Sequence, residues 1–493
     1  MGKKYNDESI KSLKGADRVR LRPSVIFGSD GIEGCCHSFF EILSNSIDEF
    51  KEGNGDKIFV TYYNDKSIEV EDFGRGIPVD YNESEKAYNW ELVFCEMYAG
   101  GKYDNELENA YAFSLGLNGL GLCSTQYSSE YMDAEIYNGE SRYELHFKKG
   151  KPVQKNKADV LKKTPDKHKS GTKIKWRPDL EVFTDIAIPL SYFLEILKRQ
   201  AVANAGLTFV LRFQNADGKF DEYTFLYPNG ILDYLNELTG GETLTEPQNW
   251  SCERKGRDRE DKPEYRVLLH VAFCFTNQNN IIEYYHNSSH LEHGGSPDKA
   301  VRNAFVYAID SYMKNNGKYV KNESKITFTD VEDCLALISN SYSTVTSYEN
   351  QTKKAINNKF IQEAMTEFLR HNLEVYFIEN KQEADKIAEQ VLINKRSREN
   401  AEKTRLNLKK KLTSDLDIAN RVEKFVDCRS KDPGKRELYI VEGDSALGSV
   451  KLARDASFQA IIPVRGKILN CLKADFNQMC IRDSRDGCYP KGR

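Results

Sequence analysis

The chain has 493 residues, 30% of them charged, and a formal net charge of −4. That length exceeds one ordinary hydrophobic core, so about three domains are expected, and the near balance of charge excludes a globally basic nucleic-acid binder, leaving only local basic patches to contact DNA. Eleven cysteines, an odd number without a C-x-x-C pair and including the adjacent Cys35 and Cys36, exclude a disulfide framework and fit free thiols in a reducing compartment. The first residues lack the apolar core of a signal peptide and no later stretch is long and apolar enough to span a bilayer, so a soluble cytoplasmic protein with no membrane partner is expected.

Residues 1 to about 30 read as a polar arm running through Ile10 and Arg20-Leu21-Arg22-Pro23 to Phe27-Gly28; on composition alone this is a loose terminus. The stretch from Phe39 to Phe50 is an amphipathic helix. Phe39, Phe40, Leu43, Ile47 and Phe50 fall on one side of the wheel and Glu41, Asn45, Asp48 and Glu49 on the other. Read alone, its polar face meets only water. Two strands in hairpin order, Lys57 to Tyr63 and Ser67 to Glu71, lead to Asp72-Phe73-Gly74-Arg75-Gly76-Ile77-Pro78. A carboxylate at Asp72 accepts the exocyclic amine of adenine, where guanine would offer a second acceptor and be repelled. Gly74 and Gly76 let backbone come close to a base, and Pro78 fixes the exit. Asp-Phe-Gly also occurs as a plain turn or as a kinase magnesium motif, but the glycine-loop and catalytic-loop partners of a kinase are absent in the required order.

Farther on stand Tyr98-Ala99-Gly100-Gly101-Lys102-Tyr103, the glycine-rich run Gly116-Leu117-Asn118-Gly119-Leu120-Gly121, and the alternating strand Gly171-Thr172-Lys173-Ile174-Lys175-Trp176. Amides of a glycine run at a helix N-terminus point at phosphate. A strand near Leu207 to Arg212 closes the first domain, and Tyr227-Pro228-Asn229-Gly230 reads as a boundary turn. A second α/β domain opens with the charged stretch Cys252 to Asp258, expected as a solvated loop. His286, His290 and His293 near Glu292 match no standard zinc spacing. Gln351-Thr352-Lys353 follows, and from Lys395 to Lys411 a long helix carries eight Lys or Arg against two Glu. That helix is either a solvated connector or a positive wall that meets DNA by phosphate charge. The last informative stretch, Arg436 to Ala446, is an apolar strand ending in Glu442, then Gly443-Asp444-Ser445-Ala446.

Helix, Asp-x-Gly-x-Gly turn, glycine run and Ser170-Gly171-Thr172, in this order, resemble the nucleotide site of the superfamily that unites gyrase, a heat-shock chaperone, histidine kinases and a mismatch-repair ATPase. Glu-Gly-Asp-Ser-Ala narrows the resemblance to the ATPase subunit of bacterial type II topoisomerases, either gyrase or topoisomerase IV, over about residues 5 to 475. The resemblance implies a multidomain α+β and α/β chain. Residues 1–225 would be a Bergerat-type ATPase sandwich, a mixed sheet backed by helices with an N-terminal dimerisation arm that includes Tyr5 and Ile10. Residues 226–410 would be an α/β transducer ending in a long helix, 411–434 a linker, and 435–493 a partial Toprim domain whose tail is aberrant after about 475.

The resemblance also implies roles, several of which the chemistry supports. ATP hydrolysis needs an aimed water, and a carboxylate can orient it and take its proton; Glu41 is that general base. Magnesium needs a single neutral amide from the protein beside waters and phosphates; Asn45, one turn along, supplies it. Glu49 pairs with Arg75. Asp72, Gly76, Ile77 and Pro78 form the adenine pocket, and Thr172 reaches adenine through water. Lys102 and the run Gly116, Leu117, Asn118, Gly119, Leu120, Gly121 attend the phosphates; Asn118 stands where bacterial relatives carry histidine, and Ser114 where glycine is usual. Gln351 and Lys353 come from the transducer to sense the γ-phosphate, whose charge a compact lysine stabilises. Glu442 would join later aspartates to hold magnesium at a DNA cleavage site, and Lys467 would touch DNA backbone. The Asp-x-Asp pair expected downstream is not found, which leaves that cleavage-metal site incomplete. The implied partners are double-stranded DNA, a second copy of the ATPase domain on ATP binding, and an A-type subunit carrying the cleavage tyrosine. The rivals are a histidine kinase, which would need a phosphoacceptor histidine before the ATPase domain, and an ATP-dependent clamp or chaperone-like fragment without strand passage.

Overall fold

The computed structural model describes residues 13–100, 119–154, 157–167, 169–278, 280–349, 354–417 and 424–464. Tyr5, Ile10, Lys102, Ser114, Gly116, Leu117, Asn118, Gln351, Lys353 and Lys467 lie outside the described residues. The chain divides into a unit of residues 1–396 and a unit of residues 397–493.

In the first unit, alternating apolar residues dictate a sheet. Ile58, Val60 and Tyr62, then Ile68, Val70 and Asp72, are buried along two antiparallel strands, Lys57–Tyr62 and Ile68–Asp72. Among the described residues they sit within a nine-stranded mixed sheet. Thr208–Gln214 pairs in parallel with Lys57–Tyr62. Ser170–Pro178 pairs antiparallel with Ile68–Asp72 and carries the sheet on to Ser129–Asn138 and Ser141–Lys148. The strand expected to close this domain is thus interior to the sheet, because Phe220–Phe225 pairs along its outer side.

The helix Ile32–Lys51 backs the sheet. Phe39, Leu43 and Ile47 are fully buried in one core with Val60, Val70, Trp176 and Phe209, and Phe39 meets Phe193 edge-on with ring centroids 5.0 Å apart. Ser44, Ser46 and Asp48 are buried as well, so the helix is sunk deeper than its apolar stripe requires. One row stays partly open. His37, Glu41, Asn45 and Glu49 recur every fourth residue along it.

Beyond the turn at Gly230, whose amide donates to the Tyr227 carbonyl at 3.0 Å, a second sheet forms in the order Gln248–Gly256, Tyr265–Phe275, Leu335–Ser343, Ile281–His286, Ser289–His290. Of the charged stretch expected as a loop, Cys252 to Gly256 lies in the outer strand Gln248–Gly256, where Glu253, Arg254 and Lys255 are exposed, since an outer strand can pair its backbone while keeping charged side chains in water. On the inner strand Tyr265–Phe275, Val271, Phe273 and Phe275 face a core with the helices Ser296–Asn315 and Lys359–Glu379, whereas Ala272 and Cys274 face one that holds Ile231, Leu235, Val202 and Ala203. That smaller core joins the two sheets. Its rim is polar: Gln200 Nε2 donates to Ser288 O at 2.9 Å, Ser288 Oγ to Asn204 Oδ1 at 2.9 Å, and Asn340 Nδ2 to Ala203 O at 2.8 Å.

His286 belongs to this packing. It is fully buried, with Nδ1 2.8 Å from Ser341 Oγ and Nε2 2.9 Å from Thr346 Oγ1, and burial pushes its pKa down to about 3. Lys395, the first residue of the run expected to be either a solvated connector or a positive wall, is also buried, with Nζ 3.2 Å from Glu323 Oε1, while Arg396 Nε donates to the same oxygen at 3.0 Å. A paired interior lysine cannot face DNA, so the exposed basic run begins after it.

The second unit holds a βαβ element. Glu437–Glu442 and Gln459–Val464 pair in parallel, joined through the helix Gly443–Ala453.

Because Phe39 is fully buried in this core against Tyr192 and Phe193, Phe39→Ala should cost about 3–5 kcal/mol of unfolding free energy in urea denaturation. A loss under about 1 kcal/mol would mean that the helix is held by something other than this core.

Candidate active site

Asp72 is the last residue of its strand and only 6% exposed. Its carboxylate is tied from three directions. Oδ1 accepts the backbone N–H of Gly74 at 3.0 Å and of Thr172 at 3.1 Å, and Oδ2 accepts the hydroxyl of Ser46 at 2.8 Å. Burial drives the Asp72 pKa above the ordinary 3.8, the three hydrogen bonds oppose the rise, and the charge of Glu49 adds to it.

Two glycines allow this closeness. Gly171 has φ +129, and a Cβ there would stand 2.1 Å from the Asp72 carbonyl oxygen. Gly76 has φ +83, and a Cβ would stand 2.4 Å from Tyr137 O. The Asp72–Pro78 turn therefore lies backbone to backbone on two neighbouring strands. Ile77 packs against the core of the sandwich and Pro78 is exposed. Gly74 is as constrained by the helix, since a Cβ there would meet Glu49 Cβ at 2.8 Å.

Glu49 and Arg75 form a two-pronged pair, Nε to Oε2 at 3.0 Å and Nη2 to Oε1 at 3.1 Å, reinforced by the Arg75 amide to Oε2 at 3.2 Å. The helix thus grips the turn twice, through Ser46 and through Glu49. Two turns back toward the helix N-terminus from Glu49, Glu41 has Oε1 3.1 Å from His37 Nε2. Its other oxygen faces the short helix Gly121–Tyr127, where a Cβ on Gly121 would lie 2.1 Å from Glu41 Oε2. Gly119 and Leu120 are half-buried just before that helix, and Gly119 O accepts the amide of Tyr98 at 3.1 Å. Asn45 stands between Glu41 and Glu49 on the open row. The rise along the axis from Glu41 to Ser46 is roughly 7.5 Å.

The structure thus gathers Glu41, Asn45, Glu49, Asp72, Arg75, Gly76, Ile77, Thr172 and the end of the glycine run around one helix face. Glu442 is in the other unit, exposed at the end of its strand and at the N-cap of the helix Gly443–Ala453. Two residues with direct contacts to this site were not singled out from sequence, His37 and Ser46. The signal for His37 was its i, i+4 spacing to Glu41; for Ser46 there was none, because its partner is 26 residues away.

Solved structures share this architecture. The 43K ATPase domain of Thermus thermophilus gyrase B, in complex with an aminocoumarin, superposes with a TM-score of 0.62 at 25% identity over 80% of this chain and 98% of that one. The topoisomerase IV ATP-binding domain of Francisella tularensis, in complex with a small-molecule inhibitor, gives 0.60 at 26% identity over 78% and 98%. Fold and site together define the ATPase subunit of a type II DNA topoisomerase.

The sequence matches go further. The DNA gyrase B family model matches residues 230–407. The DNA gyrase B proteins of Thermotoga maritima and Metamycoplasma arthritidis are 32% and 33% identical, each over 97% of this chain and 73% of the relative. The chain belongs to the DNA gyrase B family.

Gly121 offers a separable test of the site, because a Cβ there would stand 2.1 Å from Glu41 Oε2, at the far end of a flexible side chain, so alanine displaces that carboxylate while keeping the helix. Gly121→Ala should lower ATP turnover by about tenfold or more while leaving the thermal midpoint unchanged or higher; normal turnover would mean that the Glu41 position is immaterial.

Proposed function

We propose that this chain binds ATP against Asp72 and hydrolyses it from the open row of the Ile32–Lys51 helix, driving closure of two copies of the subunit around DNA. The observation that carries the reading is the tethered carboxylate of Asp72 beside Ser46, one residue past Asn45 and five past Glu41 on the same helix. Adenine would donate its amine to Asp72. Thr172 would assist through water, while Gly76, Ile77 and Pro78 would line the base. Arg75, held by Glu49, would close the pocket side.

Glu41 would orient the attacking water and accept its proton, with its second oxygen toward the start of the Gly121 helix. Asn45 suits magnesium: a half-open neutral amide between two acids supplies one oxygen and leaves the rest of the octahedral shell to waters and phosphates. When bound, the ion would neutralise phosphate charge. Lys102 and the run from Gly116 to Gly121 would attend the phosphates. Gln351 and Lys353 would come from the second sheet's side to read the γ-phosphate. Their strand of origin, Leu335–Ser343, is already fastened to the first domain through Asn340 and through Tyr342, whose ring lies 5.3 Å from Lys51 Nζ at the end of the Ile32–Lys51 helix.

By family, the subunit acts on double-stranded DNA with an A-type subunit that carries the cleavage tyrosine, passing one duplex through a break in another. Lys467 and the exposed part of the basic helix would meet DNA by phosphate charge. Glu442 by itself does not fit a cleavage magnesium, since a hard dication takes several oxygens and the neighbouring Asp444 carboxylate is held by Lys424 Nζ at 2.7 Å to each oxygen.

Glu41→Ala should retain nucleotide binding and lower turnover by roughly 10²–10⁴, read by calorimetric titration beside a phosphate-release assay; unchanged turnover would remove Glu41 from the reaction. The pH dependence has a definite sign. Adenine's amine needs the ionised form of Asp72, whose pKa is raised by burial, so ATP affinity should decline as pH falls through that raised value. The cost of ionising the buried group runs the other way, so stability of the free protein is lost as pH rises through the same value. Asp72→Asn should bind ATP weakly with no such pH dependence, and an affinity equal to the parent's would contradict the assignment of Asp72.

A further inference from the structure

Asp72 accepts three hydrogen bonds inside the protein, and their arrangement on its two oxygens is unequal. A carboxylate offers about four acceptor positions, two on each oxygen. Oδ1 is filled by the amides of Gly74 and Thr172. Those donors are backbone, so no side-chain change removes them. Among the described residues Oδ2 has a single donor, the Ser46 hydroxyl at 2.8 Å, and both residues are only 6% exposed. One acceptor position is left, on Oδ2.

We infer that Ser46 is a positioning residue that sets purine selectivity: its hydroxyl holds the Asp72 carboxylate as a pure acceptor with one vacancy, which takes a 6-amino purine and refuses a 6-oxo purine. The inference rests on the nucleotide reading above and adds a specificity element on the helix that carries Glu41 and Asn45.

The physical argument is a balance of states. The ionised acid accepts from an amine, whereas the protonated acid carries an O–H that can donate to a 6-oxo group. Removing the Ser46 donor withdraws one of the three bonds that oppose protonation, while burial and the negative charge of Glu49 continue to favour it. Arg75 faces Glu49 and partly offsets that charge. The carboxyl is then freer to rotate and easier to protonate, and the site loses its preference. A hydroxyl that merely filled space would leave that preference alone.

The test titrates the full chain with ATP and with inosine triphosphate, which differs from ATP at position 6 of the base. For Ser46→Ala, ATP affinity should fall about tenfold, in line with loss of a hydrogen bond to a charged group, while inosine triphosphate affinity stays level or rises, so that the ratio narrows by at least that factor. Ser46→Cys, nearly the same shape with a weaker donor, should fall between alanine and serine, and it carries the test if the alanine variant does not melt cooperatively. Equal weakening of both nucleotides, or an unchanged ratio in a variant that melts like the parent, would overturn the role of Ser46 and leave the nucleotide reading standing. A parent chain that binds neither nucleotide would overturn both.

Discussion

A single buried acid governs the geometry of this candidate site. Asp72 sits at the end of a strand, where its oxygens meet the amide that follows its own turn, the amide of Thr172 on the adjacent strand, and a hydroxyl from the helix. Those bonds connect three separate elements, so they fix the height of the helix over the sheet to within a hydrogen bond. A carboxylate left in that position without partners would cost several kcal/mol. The structure meets that cost with fixed donors, and two glycines supply the closeness the donors need.

Once the helix is fixed at Ser46, everything on its open row is fixed with it. Helical spacing places Asn45 next to Ser46, the residue bonded to Asp72, and Glu41 one turn farther on, against the start of the Gly121 helix. Glu49 locks the other end by clamping Arg75 and pressing on Gly74. Glu41, Asn45, Ser46 and Glu49 therefore share one rigid element, which is what the proposed reaction requires, since it must hold a water in line with a phosphorus atom. The same helix ends at Lys51, over the ring of Tyr342 in the second sheet. A change of helix position would be felt directly by the strand that precedes Gln351 and Lys353.

Much of this was readable in advance because the signals are local. The helix, the Asp72 turn and the strand around Thr172 follow from periodicities and from glycine placement. The edge strand Gln248–Gly256 was not readable, since charge on an outward face looks the same in a loop and in an outer strand. The burial of Lys395 was not legible for a related reason: a lysine in a basic run looks solvated until a distant Glu323 is seen to receive it. Ser46 and the two backbone donors to Asp72 were invisible, because a tertiary hydrogen bond between residues 26 or 100 positions apart leaves no pattern in a single sequence. The Glu-Gly-Asp-Ser-Ala string read correctly as strand and helix start, and its βαβ setting follows from the parallel pair that flanks it.

The central claim is that Glu41, Asn45 and Asp72 converge on one nucleotide, with Lys353 brought to its far end. A crystal structure of the full chain with magnesium and a non-hydrolysable ATP analogue tests it most directly. The account predicts the adenine amine on Asp72 Oδ2, the metal on the Asn45 amide oxygen, and the γ-phosphate flanked by Glu41 and Lys353. An analogue seated elsewhere, or seated with its base away from Asp72, would contradict it.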